Sequence, residues 1–353
     1  MHLINRRDRV LGALGLVFTL AAGLTKGIGG LTAFIAAGLA LAVLATLVGS
    51  AVEAMGNSVG PAMIGILQSA LGNLPELLIL VFALNKGLTG VVQATLVGSI
   101  LANVALILGA AFVVGGLRHG TQRFPGAAAR DIGLTLMLAV FALAVPSLTS
   151  TLHTPAAGHE RALSVIVAIV LLVAFALLLV YTLQQERANR SDVPAVRHEG
   201  GWPLWLALSV LAVTGVLAAL VSDWFVAALE PSIKTLGISD AFAGLIIVAI
   251  AGNAVENVVG IQLFAKNQTE AALQVVLQSP LQIAMVVAPV VLLLAPALGA
   301  GAFTLVLPPL LLAALLLSAL VAVLVVFDGE STWYEGTVLL GLYVLLGASF
   351  WWG

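Results

Sequence analysis

The sequence predicts an all-α integral membrane protein of about eleven transmembrane helices that contains an inverted internal repeat. Three observations predict it: a composition that is 61% hydrophobic and 8% charged, a succession of long apolar runs, and a match of the chain to itself at a fixed offset. Soluble chains carry about a quarter charged residues. A chain of 353 residues with a mean hydropathy of +1.16 has too few polar side chains to cover a globule in water, so lipid must solvate most of its surface. The absence of Cys excludes disulfides, thiolate metal sites and Cys nucleophiles. A net charge of -2 offers no basic face and predicts no nucleic-acid partner.

A helix needs about 17 to 25 apolar residues to cross the hydrocarbon layer. Runs of that kind predict spans at 9–25, 29–51, 61–85, 91–116, 131–150, 162–184, 202–223, 238–265, 270–298, 302–326 and 335–352. The first follows Arg6, Arg7 and Arg9 and reads as a retained helix, because no small-residue cleavage site follows it. Positive charge near span ends stays cytoplasmic. With the N-terminus inside, Arg6, Arg7, Arg9, Arg118, Arg123, Arg130, Arg187, Arg190, Arg197 and Lys266 fall on the inner side, and Lys26, Lys86, Arg161 and Lys234 on the outer. Ten against four places the N-terminus in the cytoplasm and the C-terminus outside. Trp202, Trp205, Trp333, Trp351 and Trp352 sit near span ends and read as interfacial anchors, and His119, His153, His159 and His198 fall in loops.

At an offset of 180, Gly72, Asn73 and Glu76 fall on Gly252, Asn253 and Glu256. Lys86 and Thr89 fall on Lys266 and Thr269, and Ser99 and Leu101 on Ser279 and Leu281. In a chain rich in Ala, Leu and Val, only matched rare polar residues carry information. The eighth span comes five after the third, and an odd step means that the copies enter the membrane from opposite sides. Inverted repeats bind their substrates near the midplane between the copies.

Glu76 and Glu256 lie deep in their spans, where an ionised carboxylate costs several kcal/mol or more. One isolated Glu there also fits a structural carboxyl, protonated or hydrogen-bonded between helices; two at repeat-related positions point to an ion site. Asn73 and Asn253 stand three residues before the glutamates, a spacing that predicts one helix face for each pair. Gly72 and Gly252 admit a close backbone neighbour or simple helix packing, and Pro75 frees the Leu71 carbonyl four residues back. The following span in each copy adds a polar stripe: Thr95, Ser99 and Asn103 in one, and Gln274, Gln278 and Gln282 with Ser279 in the other. Pro280 is expected to kink the second stripe.

Two carboxylates with amide, hydroxyl and backbone oxygens make a hard site of formal charge -2, which suits Ca2+ best and leaves Mn2+ and Mg2+ open. Such carboxyls must be neutralised by one divalent cation or by protons, so a site that opens to one side at a time exchanges the two. No cofactor is called for. A channel would need a pore open to both sides, and an intramembrane enzyme would need an Asp pair or a Ser/His arrangement that the spans lack.

The stretches GILQSALGNLPELLILVFALNKGLTGVVQATLVGSILANVALILG from Gly65 and GLIIVAIAGNAVENVVGIQLFAKNQTEAALQVVLQSPLQIAMVVAP from Gly244 resemble the calcium/proton exchanger (CAX) family of the calcium/cation antiporter superfamily. The family's paired G-N-x-x-E elements match Gly72 to Glu76 and Gly252 to Glu256. The resemblance implies one peripheral helix (1–28), a first five-helix repeat (29–184), a cytoplasmic linker (185–201) and a second five-helix repeat (202–353). It also implies a Ca2+/H+ antiporter, with Glu76 and Glu256 as shared cation and proton carriers and Ser99, Asn103, Ser279 and Gln282 lining the route. Short loops and the absence of a targeting extension suggest a prokaryotic cytoplasmic membrane, although a vacuolar membrane would need the same helices. Glu53, at the inner end of the second span, lies near where the family carries acidic residues. Asn257 stands where the family commonly has His after the second motif glutamate, Gln278, Ser279 and Pro280 precede Gln282 where it usually reads G-S-S-x-Q, and its strongly acidic central segment is missing. A sodium-driven calcium exchanger and a Mn2+/H+ antiporter of the same fold are the alternatives.

Overall fold

The computed structural model describes residues 6–55, 71–124, 126–189 and 202–352. Among them eight helices are long and apolar enough to cross a membrane, and Leu74–Asn85, Asp240–Gly252 and Pro309–Val325 are shorter apolar helices. The expected spans appear in order: Arg6–Thr25, Gly30–Ala54, Leu74–Asn85, Thr89–His119, Gly126–Thr151, Glu160–Asn189, Leu204–Leu236, the broken pair Asp240–Gly252 and Ala254–Ala265, Thr269–Leu298, Pro309–Val325 and Trp333–Phe350. They are numbered one to eleven below. The protein is an all-α membrane protein.

Two predicted boundaries move for identifiable reasons. The seventh helix runs thirteen residues beyond 223 to Leu236, because Asp223 only interrupts the apolar run: Phe225, Val226 and Leu229 after it are buried and carry the helix on. Its last turns carry an i,i+4 pair, Lys234 Nζ to Glu230 Oε1 at 2.7 Å. The tenth helix starts at Pro309 rather than at 302, since Pro308 (φ -51°, ψ 146°) holds extended backbone before it and Pro309 fits the first helical turn.

The chain forms two compact units: Met1–Phe82 with Val173–Leu236, and Ala83–Leu172 with Gly237–Gly353. In the first, the first, second and seventh spans pack together, with Phe34 stacked on Phe225 at 4.5 Å between ring centroids. Trp202 is not the interfacial anchor that its position suggests. It is 5% exposed and packs with Ala51, Val52 and Met55 at the end of the second span and with Ala207.

The second unit sorts its loops by parity. Gln122 Nε2 donates to the Phe264 carbonyl (3.1 Å) and to Asn267 Oδ1 (2.7 Å), Thr269 Oγ1 donates to the Arg123 carbonyl, and the two-residue strands Gln122–Arg123 and Glu330–Ser331 pair antiparallel. The loops after the fourth, eighth and tenth spans therefore share one end. At the other ends of these spans, Gln93 donates to the carbonyls of Thr304 and Val306, Ser147 to that of Leu305, and Ser239 to that of Phe350. Even-numbered loops meet even and odd meet odd, as alternating spans require. The fourth span starts at the odd side and the ninth at the even side, so these two repeat mates run in opposite directions.

Candidate ion site at two helix breaks

The G-N-x-x-E motif breaks its helix in both copies. Gly72 and Asn73 form a turn, the helix restarts at Leu74, and the Asn73 carbonyl accepts the first bond, from Leu77 N at 2.9 Å. In the second copy the helix Ala249–Gly252 ends, Asn253 adopts φ -100° and ψ 22°, and a new helix starts at Ala254. Each Asn is thus the residue before a helix start and each Glu the third residue inside it. The shared-face reading of a continuous helix is corrected accordingly: Asn-x-x-Glu follows capping spacing. Nor does Pro75 free a carbonyl inside a continuous helix. It is the second residue of Leu74–Asn85, where its missing amide has no intrahelical partner to lose.

In the first unit, Glu76 is 1% exposed and Asn73 is also buried. The first turn of a helix concentrates unpaired amides and the positive end of the helix dipole, which offsets part of the cost of a buried carboxylate there. Gly72 lies at the break, half-buried. Glu53 ends the second helix, and its side chain lies outside the described residues. The same holds for the side chains of Glu256 and Asn257, whose backbone forms the first turn of Ala254–Ala265.

In the second unit the predicted polar residues converge. Asn253 does not cap its own helix; its Oδ1 accepts from Asn103 Nδ2 at 3.0 Å and from Ser279 Oγ at 3.2 Å. Asn103 Nδ2 also donates to the Ser99 carbonyl at 2.9 Å, and Asn253 Nδ2 to the Ala249 carbonyl at 2.9 Å. All these side chains are buried, drawn from the fourth, eighth and ninth spans. Gln282 lies at the end of the helix Thr269–Gln282 and is 7% exposed. Thr95 Oγ1 and Asn103 Oδ1 are buried and find no hydrogen-bond partner among the described residues. Such groups are rare and costly, and a cation or water satisfies them.

Not all of the predicted lining arrives. Gln274 is exposed and Gln278 half-buried, so the second stripe reaches the interior only at Ser279 and Gln282. Two features escaped the sequence reading. Six-residue π-helical segments occupy Ala102–Ile107 and Ala243–Val248, and a five-residue one Ile283–Val287, each at or beside the polar cluster in sequence. The fourth and eighth spans approach closely at Gly98 and Gly244: a Cβ on Gly98 would collide with the Leu245 carbonyl, and one on Gly244 would lie 2.6 Å from the Val91 carbonyl. Matched small residues on the facing spans were the available signal.

A break inside a membrane helix persists only where protein or a water-filled path satisfies its freed backbone, and secondary transporters place their ions at such breaks. That is the class the fold defines. A family model described as "Sodium/calcium exchanger protein" matches residues 29–184 and 206–352, and the chain belongs to that family. It is 35% identical over 336 residues to the Ca(2+)/H(+) antiporter of Aphanothece halophytica, covering 90% of this chain and 89% of that one. It is 34% identical over 315 residues to the Ca(2+)/H(+) antiporter ChaA of Bacillus subtilis, covering 87% and 88%. The solved structure of native YfkE matches with a TM-score of 0.81 at 28% identity, over 97% of this chain and 99% of that one. The H+/Ca2+ exchanger CAX shares the fold at 17% identity, with a TM-score of 0.77 over 98% and 92%.

Proposed function

We propose that this chain is a secondary antiporter that exports Ca2+ from the cytoplasm in exchange for protons by alternating access, with Glu76 and Glu256 taking up either the divalent cation or protons. The observation that carries this reading is the repeated helix break, which puts Asn73 and Glu76 of one copy at a buried helix start and Asn253 of the other among hydrogen-bonded amides and hydroxyls. Relatives alike over most of their length bear the Ca2+/H+ antiporter name.

The chemistry follows from burial. A carboxylate away from water costs several kcal/mol to leave ionised, so each transport state neutralises it with a cation or a proton. A hard divalent ion takes six to eight oxygens. Besides the carboxylates, the amides of Asn73 and Asn253 and the backbone at Gly72 and Gly252 are the assigned donors. Ser99, Asn103, Ser279 and Gln282 line the route, with Asn257 and Glu53 along it. Asn103 Oδ1, left over by the amide cluster, is an oxygen that a dehydrated cation takes readily. The repeats 29–184 and 202–353 are the moving parts, joined by the linker 185–201 in a prokaryotic cytoplasmic membrane, with the N-terminus inside and the C-terminus outside. The activity requires no resident cofactor or nucleic acid.

Reconstituted vesicles test the reading. An imposed pH gradient drives Ca2+ uptake, and Glu76→Gln and Glu256→Gln each abolish it; uptake that survives both substitutions, or that ignores the gradient, overturns the proposal. Because protons and Ca2+ compete for the same carboxyls, lowering the pH weakens Ca2+ binding. A sodium-driven exchange, which the family's description brings in, is separated by replacing the pH gradient with a Na+ gradient. Competition by Mn2+ ranks the two cations.

A further inference from the structure

Within the first unit, the first, second and seventh spans enclose a cavity of about 380 Å3. That volume falls in the range of roughly 300 to 1,000 Å3 that accommodates small-molecule ligands. The wall is apolar: Gly12 and Leu16 come from the first span, Leu44 and Leu47 from the second, Val213 and Leu217 from the seventh. Ser209 and Thr214 also line it, but their hydroxyls donate to the Trp205 carbonyl (2.7 Å) and the Val210 carbonyl (2.6 Å) of their own helix. Charge is confined to one end, where Asp8 and Arg9 form the rim and the buried Trp202 closes the wall.

Two glycines on the same helix behave differently. A Cβ on Gly15 would meet Leu47 Cδ1 at 3.0 Å, so that glycine closes the helix onto its neighbour. A Cβ on Gly12 would meet nothing within 4 Å, so that glycine keeps the slot open. Only 17% of the first span's apolar window is buried, so the slot opens beside a helix bathed largely in lipid. An apolar slot with a guanidinium at its rim complements one kind of molecule, an acyl chain ending in an anionic phosphate. Arg binds phosphate through paired N–H donors, and basic residues at a helix end select anionic lipids. Arg7, exposed next to Asp8, offsets that carboxylate.

We infer that this cavity binds one anionic phospholipid, its acyl chain between the three spans and its phosphate on Arg9. Native mass spectrometry of the full chain in detergent, titrated with dioleoylphosphatidylglycerol and dioleoylphosphatidylcholine, tests it. One lipid per chain is retained, with about a fivefold preference for phosphatidylglycerol, the scale of one basic residue at an anionic surface. Arg9→Gln reduces the preference to about one while a lipid still binds, and Arg9→Lys restores most of it. Gly12→Leu fills the slot and removes bound lipid of either headgroup. Equal binding of the two lipids to the unmodified chain overturns the inference. Retention of lipid by a folded Gly12→Leu variant, or an equal loss of preference in Arg7→Gln, which lies outside the lining, does the same. If Gly12→Leu fails to fold, the contrast between Arg9→Gln, Arg9→Lys and Arg7→Gln decides.

Discussion

The fourth and ninth spans are repeat mates that carry polar rows at the same helical spacing, yet only one row is buried throughout. Thr95, Ser99 and Asn103 are all buried, whereas Gln274 is exposed, Gln278 half-buried and Gln282 buried. The offset of 180 explains the difference. It aligns Ser99 with Ser279, both buried, and sets the Gln row on Ala94, Gly98 and Ala102. In the fourth span those small residues form a second buried face: Ala94 and Gly98 pack against Gly244 and Leu245 of the eighth. The fourth span is 78% buried over its apolar window and the ninth 61%. Spacing defines a face, and packing decides whether that face looks inward.

The comparison breaks most readily at its tightest contact. Gly98→Val drives a branched side chain into the backbone of Leu245 and is expected to destabilise the protein by about 3 kcal/mol or more, read as loss of folded protein in detergent by size-exclusion chromatography and thermal unfolding. Asn103→Ala removes the donor shared by Asn253 Oδ1 and the Ser99 carbonyl; interhelical hydrogen bonds in membranes average about 0.6 and reach about 1.7 kcal/mol, so a loss of about 1 to 2 kcal/mol is expected. Its Ca2+ uptake is expected to fall about tenfold, the equivalent of about 1.4 kcal/mol in transition-state binding. Ser279→Ala takes away one of the two side-chain donors to Asn253 Oδ1 and costs about 0.6 kcal/mol, measured by thermal unfolding. Gln274→Ala is expected to change stability by less than about 0.5 kcal/mol and to leave uptake intact. Equal effects from Gln274→Ala and Asn103→Ala would erase the distinction between the two rows.

The fold was largely legible because lipid imposes long apolar runs, and those runs locate helices without any knowledge of their neighbours. The legibility failed where polarity and span length part company, at the extended end of the seventh helix and in the segment before Pro309. For the site, buried and repeated polar residues identified Asn73, Glu76, Ser99, Asn103, Asn253, Ser279 and Gln282, all of them buried. The helix break at each motif was misread, since a glycine followed by Asn-x-x-Glu fits a continuous helical face as well as a helix start. The capping spacing and Pro75 held the answer. The π-helical turns at Ala102–Ile107 and Ile283–Val287 left no comparable trace, because no residue type marks them.

The sequence by itself determined that the chain lives in lipid, how many times it crosses, and which polar residues are too deep to be accidental. Each of these is a question of local solvation, answered residue by residue from transfer cost. Tertiary structure alone decided which polar row turns inward, which glycines close a helix contact and that Asn253 Oδ1 accepts from Asn103 and Ser279 rather than capping the helix that follows it. Those outcomes depend on the shape of the neighbouring backbone, and no local pattern encodes it.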